Sequence, residues 1–184
     1  MPFSYRQATC VALTSPLPPG RMADVLITSA QSVPGVVVES LRPYYGGSDL
    51  HRDLELVEAL AADPDSASAL LVAHAPGVFR AGWALLLEAG PTVLQASAGA
   101  PDVDGLDLPW LPLATACRLE PGDRWVPESW DLIGTELVAA PVGGPHRAVL
   151  VGRPGGPRFR GSEVLRLGHL AGITATVAAA AVSA

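Results

Sequence analysis

Between Thr135 and Ala180 the apolar positions form two short continuous runs and one long run at helical spacing. Glu136–Pro141 and His146–Gly152 are rich in Val, Leu and Ala and flank Gly143-Gly144-Pro145, which predicts two strands joined by a tight turn. Val164, Leu167, Leu170, Ala171 and Val177 then share one broad helical face, with Ser162 as the expected N-cap. Upstream, Leu50, Leu54, Val57 and Leu60 recur with the same period in a helix starting at Ser48 or Asp49. Asp63-Pro64 provides a cap and a first-turn proline for a second helix through Ala67, Leu70, Leu71 and His74, which Pro76-Gly77 is expected to end. Trp83–Ala89 and Thr92–Ala98, separated by Gly90-Pro91, predict a β-hairpin.

The ends of this pattern differ from its middle. Thr9–Ser15 predicts a short strand, Arg21–Ser32 a short amphipathic helix through Met22, Val25, Leu26 and Ala30, and Val36–Leu41 a second strand. Tyr44-Tyr45-Gly46-Gly47 is a joint, so the chain is expected to divide into residues 1–47 and 48–184. Gly99–Gly134, dense in Pro, Asp and Trp, has little periodicity and predicts a long excursion with one or two short helices.

Composition narrows the function classes. The 184 residues are 49% hydrophobic and only 16% charged, enough apolar surface for a folded core. The net charge of −6, with no lysine and scattered arginines, supplies no basic stripe for phosphates, so nucleic acid is not an expected partner. Without lysine no P-loop can form, and no G-x-S-x-G elbow surrounds any serine. Cys10 and Cys117 match no metal or redox spacing, and neither a leader nor a membrane span is expected, which points to the cytoplasm.

Candidate chemistry is sparse. Asp102, Asp104 and Asp107 surround Gly105, but the twelfth position of a calcium loop would be Leu113 rather than a bidentate Glu, so a solvated turn is expected. His51, His74, His146 and His169 fall on separate elements without metal-ligand spacing. No metal, cofactor or catalytic residue is expected, and the chain is read as not an enzyme. Three of the four tryptophans, Trp110, Trp125 and Trp130, lie in the excursion, where they could wall a pocket or pin the loop to a sheet. Arg118 and Asp131 are the polar residues expected to complete such a ligand site, with Glu120, Asp123, Arg124 and Glu128 nearby.

Two resemblances give these patterns a frame. The run ELVAAP, a short turn, AVLVG and a helix centred on Leu170-Ala171 resembles the end of a GAF domain, and the order of elements from about Leu50 to Ala180 is similar to that family throughout. The resemblance implies an α+β fold: a central antiparallel sheet, first and last helices packed together on one face, and a ligand pocket on the other face under the excursion. The segment PLPPGRMADVLITSAQSVPGVVVESLRPY resembles the second half of an ACT domain, a partial ferredoxin-like strand-helix-strand. Together they resemble actinobacterial-type ACT/GAF amino-acid-binding regulatory proteins. A half-module is expected to find its missing strands upstream of this sequence or in a partner chain. Cyclic-nucleotide-binding GAF domains carry an Asn-Lys motif that this chain cannot supply, bilin-bearing relatives use a Cys followed by His where Cys117 is followed by Arg118, and the related methionine sulfoxide reductases use several cysteines.

The function this implies is a non-catalytic regulatory or sensory module that binds an unidentified small molecule, an amino acid among the candidates, and forms a homodimer. The alternatives are a dimeric interaction scaffold with no small ligand and an enzyme that uses the excursion. Gly168 and Gly172 mark the side of the last helix expected to meet a second copy.

Overall fold

The computed structural model describes residues 24–38, 48–90, 92–103, 106–120 and 125–182. The chain divides into two units, Met1–Gly47 and Ser48–Ala184. In the first unit, helix α1 spans Asp24–Gln31, inside the stretch whose periodicity predicts it. Val36–Val38 is irregular chain rather than strand, with Val37 81% exposed: β-branched side chains favour a strand only when a neighbouring strand pairs with them. The strand expected over Thr9–Ser15 and the joint at Tyr44–Gly47 lie outside the described residues.

The second unit is built on a five-stranded antiparallel sheet. Its strands are β1 (Trp83–Glu88), β2 (Thr92–Ala96), β3 (Cys117–Leu119), β4 (Glu136–Pro141) and β5 (Arg147–Arg153), in the order β2-β1-β5-β4-β3. The hairpins β1–β2 and β4–β5 follow the predicted runs, and β1 pairs with β5 from Trp83↔Gly152 to Glu88↔Arg147. The central strands are apolar on both sides because both faces of the sheet are covered. Ala84, Leu86, Val138, Ala140, Val149 and Val151 face helices α2 (Ser48–Ala62), α3 (Ala67–Phe79) and α5 (Gly161–Val182). Trp83, Leu85, Leu87, Leu137, Ala139, Ala148 and Leu150 face the excursion, from which Leu106, Leu108, Leu113, Trp125 and Trp130 pack down. Fully burying a Leu or Val side chain contributes about 1.5–3 kcal/mol, so both layers stabilise the sheet.

Helix ends depart from expectation in two places. The Asp63 cap forms, its carboxylate accepting from the Ser66 N–H above the 3-10 turn Pro64–Ser66, but α3 continues through Pro76 to Phe79. It stops at Arg80, which has φ 48° and is followed by the Ala81 N–H donating back to the Pro76 carbonyl. Three arginines satisfy the carbonyls of the final turn. Arg52 donates to Gly77 O, Arg166 to Val78 O and Arg153 to Phe79 O. At α5, Ser162 is not the cap: Arg160 occupies that position and the Glu163 carboxylate accepts from its N–H at 2.8 Å, the reciprocal half of a capping box.

Helix α5 is long and apolar enough to cross a bilayer by length and composition, which the sequence reading did not anticipate. In this fold Leu167, Leu170, Ala171 and Thr174 are buried in the helix-side core. A Cβ on Gly168 would lie 3.2 Å from the Ala116 Cβ, so that glycine already serves packing within the chain, whereas Gly172 faces open space.

Candidate functional site

The excursion is not wholly irregular. Its residues Cys117–Leu119 form β3, an edge strand paired to β4 through Cys117↔Ala139, Arg118↔Val138 and Leu119↔Leu137. Three residues are too few for alternation to stand out in a sequence, so this strand escapes periodicity analysis. Register then assigns the faces: Leu119, beside Leu137, joins the excursion-side core, and Arg118, beside Val138, turns to the helix side. There the Arg118 Nη1 donates to the Phe159 carbonyl at 3.0 Å, just before α5.

An open cleft of about 650 Å³ lies along this edge, lined by Asp107, Pro109, Trp110, Arg118, Leu119, Glu120 and Trp125. Leu119 and Trp125 are buried apolar members, and the indoles of Trp110 and Trp125 meet at 5.8 Å with 58° between their planes. Asp107 and Glu120 are exposed. The Asp107 carboxylate accepts from the Leu108 N–H at 2.9 Å, and Glu120 pairs with Arg158 from the loop after β5. The cleft thus combines an apolar aromatic corner with a few polar groups, the composition of a small-molecule site.

Of the expected ligand residues, Trp110, Arg118 and Trp125 come together here, although the Arg118 guanidinium is committed to the other face of the sheet. Trp130 does not join them. It is 3% exposed, stacked on Trp83 at 4.7 Å and 53°, and anchors the short helix α4 (Glu128–Leu132) to the sheet. The indole N–H groups of Trp110 and Trp130 are buried without an acceptor among the described residues. The backbone of Asp131 belongs to α4, and its side chain lies outside the described set. Pro109 and Leu119 carried no polar signature. Asp107, three residues before Trp110, was legible only as part of an acidic turn.

Cys117, half-buried at the start of β3, is a free thiol whose pKa is pushed up by burial. Among the described residues no three His, Cys, Asp or Glu side chains cluster as metal ligands. His51 is engaged with Glu55 at 3.0 Å on the exposed face of α2.

No family model matches this chain, and no curated protein matches it. Among solved structures, the chain is similar to the GAF domain of "a putative sensor histidine kinase from Pseudomonas syringae pv. tomato", with 16% identity and a TM-score of 0.50 over 74% of this chain and 96% of that one. At this identity the likeness concerns the fold, which is GAF-like; the partial ACT-like, ferredoxin-like strand-helix-strand expected before it draws no support from this comparison.

Proposed function

We propose that the GAF-like unit is a non-catalytic regulatory or sensory module that binds a small molecule in the Trp110–Trp125 cleft and works as a cytoplasmic homodimer. The observation that carries this reading is the asymmetry of the sheet: helices fill one face, while the excursion on the other leaves an aromatic cleft open at the β3 edge. Native mass spectrometry of freshly purified protein tests ligand and assembly together. A co-purified small molecule on a two-subunit species is the expected result, and a bare monomer defeats both parts.

A second reading, a dimeric scaffold without a small ligand, draws on the Trp83–Trp130 pair, which pins the excursion to the sheet, and on the Trp110–Trp125 pair, which ties two parts of the excursion together. Replacing Trp110, the partly exposed member of the cleft pair, by Ala separates the two. In the ligand-binding reading it abolishes ligand binding and leaves the fold largely intact. In the scaffold reading it removes about 3–5 kcal/mol of packing and lowers the melting temperature, with no ligand detected.

A further inference from the structure

The charges around the cleft point beyond the presence of a ligand to its class. Among the described residues the lining contributes two carboxylates, Asp107 and Glu120, and one cation, Arg118. Register turns Arg118 toward the helix side, where its Nη1 donates to the Phe159 carbonyl at 3.0 Å, which directs the guanidinium away from the indole corner without removing its charge. Arg158 stands outside the lining and pairs with Glu120. That pair is exposed on both sides, 55% for Arg158 and 65% for Glu120. Exposed ion pairs of this kind contribute little in water and exchange partners readily. What the cleft presents beside its aromatic corner is a pair of exposed carboxylates, Asp107 and Glu120, the second of them shared with Arg158.

An indole face carries the negative pole of its quadrupole, and two indoles meeting at 58° can contact one rounded group from two sides. A methylated ammonium suits this corner: its charge is spread over methyl groups, it loses little hydration on leaving water, and it has no N–H that must find an acceptor. Primary ammonium ions and anions suit it less, the first because strong hydration opposes contact with indole and the second because the carboxylates repel them.

We propose that the cleft recognises an organic cation of the quaternary ammonium class, with its methyl groups against Trp110 and Trp125 and its charge balanced by Asp107 and Glu120. This rests on the reading of the cleft as a small-molecule site. It also makes Arg158 a competitor: by occupying Glu120 it screens one of the carboxylates the cation would use.

The test is a calorimetric titration of the full chain at fixed ionic strength with choline chloride and with its neutral carbon isostere, 3,3-dimethylbutan-1-ol; benzoate and indole serve as an anionic and a neutral aromatic probe. Choline is expected to bind at least tenfold more tightly than the isostere. Glu120→Gln, at an exposed position, should weaken choline about fivefold, and Trp110→Leu about tenfold, with Trp110→Phe recovering part of the loss. Arg158→Gln should tighten choline, because it releases Glu120. Equal affinity for choline and the isostere, or weaker choline binding after Arg158→Gln, overturns the cationic class. Binding of benzoate or indole, lost in Trp110→Leu while choline stays silent, also removes the cation and leaves the small-molecule reading standing. Silence from all four probes in a protein that melts cooperatively overturns both.

Discussion

The indole of Trp83 lies so close to its antiparallel partner that a Cβ on Gly152 would sit 2.1 Å from the ring. Gly152→Ala must therefore push the ring off its place against Trp130, and overpacking of this kind destabilises by about 1–3 kcal/mol. Chemical denaturation should show that loss, and Trp83→Leu in the same chain should recover part of it, a coupling absent between sites that do not touch. Cys117 gives a second expectation at this scale. Burial raises its pKa in the folded state, so the unfolded chain releases the thiol proton first as pH rises. Stability is unaffected below the ordinary thiol range and falls as pH climbs through it toward the folded value. In a Cys10→Ser background, denaturation between neutral and alkaline pH should show this decline, and Cys117→Ser should lack it. The same burial should slow alkylation of Cys117 relative to a free cysteine.

The end of α3 is an element whose stability comes from other elements. Arg153, 4% exposed, donates to the Phe79 and Pro157 carbonyls, pairs with Glu163 at 2.6 Å and stacks on the Phe159 ring at 3.9 Å. Arg166 pairs with Asp53 at 3.2 Å and covers the Phe79 ring, so α2, α3, β5 and α5 meet at one corner. Glu163→Ala should cost about 3–5 kcal/mol, because it strands a buried guanidinium, whereas Arg153→Met combined with Glu163→Leu should cost less than the single change. Urea midpoints of the three proteins check the order. This corner was invisible in the sequence, since Glu163 and Phe79 lie 10 and 74 residues from Arg153 and no local spacing links them. The elements it joins were legible. Helices α2 and α5 declared themselves by apolar period, and β1, β4 and β5 by runs of Leu, Val and Ala. What failed were inferences from one residue: Pro76 as a helix end, Ser162 as a cap and Trp130 as a pocket wall. Tertiary partners decided the first and the last, and at α5 the local Glu163 carboxylate, three residues on, took the cap at Arg160. For the cleft, sequence reached Trp110, Trp125 and Arg118 but not the turn of Arg118 away from them, which only the pairing of β3 determines.

For the molecule as a whole, the outer helical face bears on assembly. Leu165 is 66% exposed and Ile173 38% on α5, with Leu54 half-exposed on α2, an apolar set on the side away from the sheet. If this face forms the proposed two-fold contact, light scattering should show a dimer for the parent chain and a monomer for Leu165→Glu, with an unchanged melting curve at low concentration. The strand order carries a different consequence, for the path by which the unit folds. β1 with β2, and β4 with β5, are local hairpins that close within a few residues, but the seam between β1 and β5 joins residues 83–88 to 147–153. Forming that seam means closing the intervening chain, and such long-range pairing, rather than hairpin formation, sets the pace of folding. Closure entropy grows only logarithmically, about 0.6 kcal/mol for each doubling of a flexible loop. Residues grafted into the exposed part of the excursion should accordingly slow refolding slightly and leave equilibrium stability nearly untouched, so the covering of this sheet can change its length and composition while the scaffold beneath persists.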